Sequence, residues 1–408
     1  MAGLARPVAR AVTWVYSLVC CGVLVGCTAE AAPPPAAPPE AAPEAPLAHS
    51  TFAATTESPR AALAQSSDAA QRTLSDTCGE SDAALLSVAA QLLEQRTETL
   101  DVDAIGYDLR AAGAPYVWPR AWLFTGGEGE LETARTRMIH WLAGFADGGT
   151  RRCGVAVRHD AGGRLTVAAL AVDALADLDP TPTRVRVGSW INVRAVLRVP
   201  ASDAKLVILG PRGAPHAVPT SFSDGRVQAR FNADQPGTWL VQLLAAVDGG
   251  PRPLLEALVF AGTEPPTHAI TAKAPGESAE QPGGEPRAAL YTMINAARQS
   301  ERLAPLRVEP RLEVLAQAHA EAMRRARRTA HDAGDGDLNQ RVEQAGLELA
   351  AGENVAHAAN AALAQRALWS SPSHRENLLL PEFDLVGVGV ARDPDGTLWV
   401  CQVFASSH

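Results

Sequence analysis

At 408 residues the chain is too long for one ordinary domain. Its net charge of −9 sets aside general nucleic-acid binding, which needs a basic surface to release counterions. Basic residues are almost all arginine, Lys205 and Lys273 being the only lysines, and Pro and Ala concentrate toward the N-terminus.

Arg6 and Arg10 precede an uncharged apolar run, Ala11 to Leu24, which is short for a membrane-spanning helix. The run ends in Leu24-Val25-Gly26-Cys27, which resembles the lipobox of bacterial lipoprotein signals. The resemblance implies a signal peptide over 1–27 and a lipid on the Cys27 thiol. Thr28 at the next position is similar to lipoproteins routed to the outer membrane. Residues 28–76 are Pro- and Ala-rich and predict an extended tether with little apolar surface to bury. No second hydrophobic span follows, so the lipid is the expected membrane attachment.

Of six cysteines, Cys20 and Cys21 leave with the signal and Cys27 is modified. Cys78 and Cys153 lie in one module of an exported chain and are expected to pair in an oxidising compartment. Cys401, in an alternating run from Leu398 to Phe404, is expected to be a small buried hydrophobe.

Residues 77–180 read as a worn α+β copy of the C-terminal domain. Cys153 to Val167 aligns without gaps with Val386 to Val400, each a strand, a tight turn and a returning strand. The same offset sets Ile105, Leu109 and Gly113 against Leu338, Val342 and Gly346, a short helix with a glycine cap. Pro119-Arg120-Ala121 falls where the C-terminal copy has Gly352-Glu353-Asn354, and His140 and His159 match no site position. Residues 181–262 change to short alternating runs broken by Gly, Pro and Asp, which predicts an all-β sandwich. The turn from Asp234 to Trp239 resembles a strand connection of bacterial Ig-like domains. Residues 263–286, rich in Pro and Gly, read as a flexible linker.

In 287–408 apolar residues recur at helical spacing from Leu312 to Ala326 and place His319 toward the core. Arg324, Arg325, Arg327 and Arg328 end that helix, where cations complement the dipole. The ordered series Leu290 to Arg298, Ala304-Pro305-Leu306, His331, Gly352-Glu353-Asn354, Ser371-Pro-Ser-His374-Arg-Glu-Asn377 and Val386 to Val390 resembles the CAP superfamily (SCP/PR-1-like) in its bacterial form. The expected architecture is multidomain: an N-terminal α+β degenerate CAP-like module, a central Ig-like sandwich and a C-terminal α/β/α-sandwich CAP domain. The resemblance brings His331, His374 and Glu353 together in a cleft, with Ser371 at the fourth position. Trp369 lies one residue closer to His374 than in the bacterial pattern. Two imidazoles and a carboxylate could hold a divalent ion such as zinc or orient a bound water. The zinc-protease, serine-hydrolase and P-loop motifs are missing. The Asp332, Asp335, Asp337 loop lacks EF-hand spacing and reads as a solvated turn.

Three function classes stay open. The first is a non-enzymatic envelope protein whose cleft binds a lipid, sterol-like or cell-wall ligand. The second is a metal-assisted hydrolase using His331, Glu353 and His374, and the third a structural adaptor contacting other envelope proteins.

Overall fold

The computed structural model describes residues 51–52, 68–95, 102–127, 129–145, 148–248, 250–266 and 273–407. The signal-like segment, Cys27 and most of the tether lie outside the described residues. A two-residue strand, β1 (Thr51–Phe52), pairs with β7 (Thr181–Pro182).

The N-terminal module runs α1 (Ala69–Cys78), β2 (Glu80–Ser81), α2 (Ala83–Gln95), α3 (Val102–Ala111), β3 (Arg120–Gly126), α4 (Leu131–Leu142), β4 (Thr150–His159) and β5 (Leu165–Ala174). It begins earlier than its composition implies: residues 69–76, read as tether, are helical, and Leu74 is wholly buried. Asp68 caps this helix by accepting from the Gln71 amide. The sheet order is β2-β4-β5-β3. One face packs on α2 and α3 through Leu85, Val88 and Leu109; the other packs on α1 and α4 through Leu74 and Met138. Cys78 and Cys153 form a disulfide that ties α1 to β4, with Cα atoms 5.9 Å apart.

The central module contains two sheets around one core. A five-stranded sheet has order β11-β10-β14-β15-β8 and a four-stranded sheet β12-β13-β9-β6. Their strands are β6 (Ala176–Leu178), β8 (Arg184–Val185), β9 (Ser189–Leu197), β10 (Asp203–Leu209), β11 (His216–Val218), β12 (Thr220–Ser223), β13 (Arg226–Ala233), β14 (Gly237–Val247) and β15 (Gly250–Ala261). In β9 alternation buries Ile191, Val193 and Ala195 and leaves Trp190, Asn192 and Arg194 outward. The module therefore starts at β6, before residue 181, because the chain passes from one sheet to the next across Leu175.

The stretch 263–286, expected as flexible linker, is packed over part of its length. Ala274 is buried in the C-terminal core, and Glu277 pairs with Arg366 at 2.6 Å. Glu280 accepts from the Ala361 and Ala362 amides at the start of a helix. These contacts fix the segment against its own domain rather than leaving it as a spacer.

The C-terminal domain runs α5 (Pro286–Ser300), β16 (Arg307–Val308), α6 (Pro310–Ala326), α7 (Leu338–Gln344), β17 (Ala351–Ala358), α8 (Ala361–Ser370), α9 (Pro372–Leu379), β18 (Leu385–Arg392) and β19 (Leu398–Ala405). Its sheet order is β16-β18-β19-β17. Leu312, Leu315 and Met323 of α6 fill one face, and α5, α8 and α9 cover the other, giving three α/β/α layers. Gly387 is needed for the close approach of β18 to α6, since a Cβ there would strike the Leu312–Glu313 backbone. Arg298 is buried and donates to the carbonyls of Ala304, Leu378, Leu380 and Phe383, so the Leu290–Arg298 motif serves the frame.

Candidate functional site

Glu353 sits on β17, opposite Val403 of β19, with its carboxylate buried. Four side chains crowd it. His331, in the loop after α6, places Nδ1 2.9 Å from Oε1. Arg341 of α7 donates through Nη2 to Oε1 at 3.0 Å and lies 2.8 Å from Oε2. Cys401 donates its thiol to Oε2 at 3.3 Å, and His319 Nε2 stands 3.8 Å from Oε1.

Burial alone would raise the Glu353 carboxyl. The His331 hydrogen bond and the charges of His331, His319 and Arg341 outweigh it and hold the group below the usual carboxylate range. Burial and the adjacent carboxylate push the Cys401 thiol well up, so the sulfur stays protonated and donates.

His374 enters on α9, and two asparagines set that helix against β17. Asn377 donates to the Glu353 carbonyl at 3.1 Å, and Asn354 donates to the His374 carbonyl at 3.0 Å. The Gly-Glu-Asn and His-x-x-Asn blocks are thus joined side chain to backbone. Desolvation, then the nearby His331, depresses the His374 imidazole to about 3. The structure therefore brings His331 beside Glu353, and His374 near enough to feel His331.

A cavity of about 610 Å³ adjoins this cluster. His374, Ser371, Thr329, Val355 and Leu368 line it from the C-terminal domain, whereas Glu353 and His331 are not among its lining residues. The expected cleft is in part a buried polar cluster behind the cavity wall.

Glu353 is poorly placed as a direct metal ligand. Both Glu353 oxygens are engaged by Arg341, and its charge repels a second cation at that carboxylate. Among the described residues no group of three His, Cys, Asp or Glu side chains is arranged to hold one. Of the candidate ligands, His331 and Glu353 are hydrogen-bonded to each other, and His374 joins them only through its backbone carbonyl and the nearness of its ring to His331.

Several participants escaped sequence reasoning. His319 is buried as expected, but Asp335 accepts from its Nδ1 at 2.8 Å and the Ala330 carbonyl faces Nε2 at 2.9 Å. Asp335 is therefore no solvated turn residue. Asp337 caps α7 in a reciprocal capping box with Gln340, and the Asp332 carboxylate accepts from the Gly334 and Gly336 amides. Arg341 carried only the signal of a basic residue on a short helix. Of the terminal arginines of α6, Arg327 pairs with Asp393 at 2.6 Å. Trp369 stacks beneath the Arg375 guanidinium, 3.6 Å from its ring centre.

Residues 291–403 match the model of the Cysteine-rich secretory protein family, CAP. The C-terminal part of this chain is a CAP domain. No curated protein matches the chain. Similar solved structures include an outer surface protein from Borrelia burgdorferi, 22% identical with a TM-score of 0.29, covering 31% of this chain and 96% of that one. An extracellular protein containing an SCP domain from Bacillus anthracis is 15% identical with a TM-score of 0.28, covering 69% of this chain and 93% of that one. A cysteine-rich secretory protein from Staphylococcus aureus is 14% identical with a TM-score of 0.26, covering 58% and 81%. Among the described residues no helix is long and apolar enough to cross a membrane.

Proposed function

We propose that this protein is an extracytoplasmic envelope lipoprotein, anchored through Cys27, whose CAP domain binds a lipid, sterol-like or cell-wall ligand. One observation carries the binding reading over the hydrolase. The acidic group that a hydrolase would use is held on both oxygens by Arg341 and packed against a thiol. A carboxylate so engaged is a poor general base and a poor metal ligand. The feature left open to a ligand is the cavity beside His374, whose volume lies in the range of small-molecule sites, about 300–1,000 Å³.

Extraction of the purified native protein, followed by mass spectrometry and metal analysis, tests this reading. A stoichiometric apolar or glycan ligand is expected. Stoichiometric zinc with peptide or ester hydrolysis abolished by His374→Ala would restore the hydrolase. For the anchor, Cys27→Ser is expected to move the protein from membranes to the soluble fraction; unchanged membrane retention removes the lipoprotein reading.

The other modules fit the same proposal as an Ig-like sandwich and a degenerate CAP copy. Support for the copy is the shared connectivity: β2-β4-β5-β3 repeats β16-β18-β19-β17, each with a short parallel edge strand and a hairpin. Cys153 pairs with Ala171 as Val386 pairs with Phe404, the offset found in the sequences.

A further inference from the structure

Resting on the reading that the CAP cleft holds a ligand, we infer that the cavity is a composite site. The N-terminal module and the sandwich build the wall facing His374, and the ligand is an uncharged amphiphile with a hydroxyl-bearing head. Tyr107, Arg110 and Trp118 of the first module, with Leu240, Pro253 and Glu256 of the second, line the cavity opposite the CAP residues.

A buried polar chain fixes this wall. Glu256 accepts from Arg110 Nη1 at 2.9 Å and from Gln242 Nε2 at 2.7 Å. Gln242 is fully buried; its Oε1 accepts from the Ser373 amide at 3.0 Å, and its Nε2 reaches Ser371 Oγ at 3.3 Å. The Ser373 amide lies in the first turn of α9, the helix bearing His374. Lys205 on β10 adds an ion pair to Glu376 of α9 at 2.9 Å. Gln242 is thus a positioning residue for the CAP site, supplied from outside the CAP domain.

The lining chemistry names the ligand class. Arg110 and Glu256 are the arginine and the carboxylate on the wall, and they neutralise each other. An ionised ligand head would enter without a free counter-charge, which is costly in a partly desolvated site. Thr329, Ser370 and Ser371 are hydroxyl side chains on the CAP side of the cavity, so a neutral polar head meets uncharged partners there. Leu240, Pro253 and Trp118 offer the apolar surface for a chain. Trp118 is 49% exposed at φ 50°, a sparsely populated backbone region for a bulky side chain, and Arg252 stacks 4.5 Å from its ring centre.

Two measurements on the full chain test the inference. Without ligand, the Ser373 amide is expected to exchange slowly and to accelerate at least about tenfold in Gln242→Ala. Fast exchange in the native protein would show that the wall does not dock and overturn the composite site. With a fluorescent monoacylglycerol as probe, binding is expected to be at least about tenfold tighter than for the matching fatty acid. Trp118→Ala, at a half-exposed position that does not threaten folding, is expected to weaken binding about tenfold. Arg110→Lys keeps the charge but loosens the bond to Glu256 that fixes the wall, and a loss of about two- to tenfold is expected. If both variants bind like the native protein while Ala367→Trp, which fills the cavity from the exposed CAP side, abolishes binding, the cleft reading stands and the composite wall falls. Preference for the fatty acid overturns the neutral head, and binding of neither probe overturns the cleft reading itself.

Discussion

The N-terminal module and the CAP domain share a frame and differ in what is mounted on it. In both, a helix ends in a left-handed glycine with the same hydrogen bonds. Gly113 and Ala114 reach back to Arg110 and Leu109, and Gly346 and Leu347 to Glu343 and Val342. In both hairpins an aspartate opens the turn, Asp160 accepting from Gly163 and Asp393 from Gly396 through the backbone. The sheet registers set Arg120 against Ala171 and Gly352 against Phe404, so Ala121 occupies the place of Glu353. The helix carrying His374 has no counterpart among the described residues between Leu142 and Thr150. Backbone geometry therefore belongs to the frame, and the polar cluster is a local addition that must be stabilised where it stands.

The strongest test of that distinction is Glu353→Ala. It leaves Arg341 buried beside two histidines with only Asp335, 4.0 Å from its Nε, as counter-charge, and a loss of about 3–5 kcal/mol is expected in denaturant unfolding. Ala121→Ser, at the matching place, is expected to change stability by less than about 0.5 kcal/mol. Comparable losses at both positions would erase the contrast.

The disulfide runs the contrast the other way, since it braces only the N-terminal module. Replacing Cys78 and Cys153 together by serine is expected to cost about 2–4 kcal/mol. Hydrogen exchange should accelerate in α1 and β4 first, while β18 and β19 keep their protection.

The shared frame is probed by Gly154→Ala and Gly387→Ala. A Cβ at Gly154 would strike the Leu85–Leu86 backbone of α2, as one at Gly387 would strike α6. Each is expected to destabilise by about 1–3 kcal/mol, the usual cost of overpacking. A large effect at one glycine alone would mean that the two sheets meet their helices differently.

What was legible in the sequence follows the same division. The hairpins and the Gly113 and Gly346 caps were visible because turn chemistry and alternation are local signals. The counterpart of Glu353 was misplaced by one residue, at Arg120 rather than Ala121, because only pairing with β5 sets the register of β3. The ordered motifs singled out His331, Glu353 and His374 as candidates, yet Arg341, which engages both Glu353 oxygens, gave no pattern. The hydrogen bonds of Gln242 to α9 and of Glu256 to Arg110 were invisible for the same reason: each residue looks like an ordinary polar position in an alternating strand. The packing of Ala274 and Glu280 was hidden beneath a Pro- and Gly-rich composition that usually marks a linker.

The smallest expected effect separates His374 from the frame by its proton. Its folded pKa, about 3, lies below the ordinary 6.5 because burial and then His331 disfavour the charged ring. Below pH 6.5 the unfolded chain therefore binds a proton that the folded chain refuses, so the contribution is complete above that value. It is lost progressively as pH falls toward 3, with a slope of at most about 1.4 kcal/mol per pH unit for one proton. Solvent reaching the cavity screens part of this, so the observed slope should be smaller. Glu353, held below 4.5, loses its own contribution only under more acidic conditions, leaving pH 5 to 6.5 as the window for His374. Denaturant midpoints of the native protein and of His374→Asn, measured at pH 6.5 and pH 5, isolate the effect. The native protein should lose more stability across that step than the variant. Equal losses would mean that the ring takes up its proton freely, and that the wall facing α9 does not keep His374 from water.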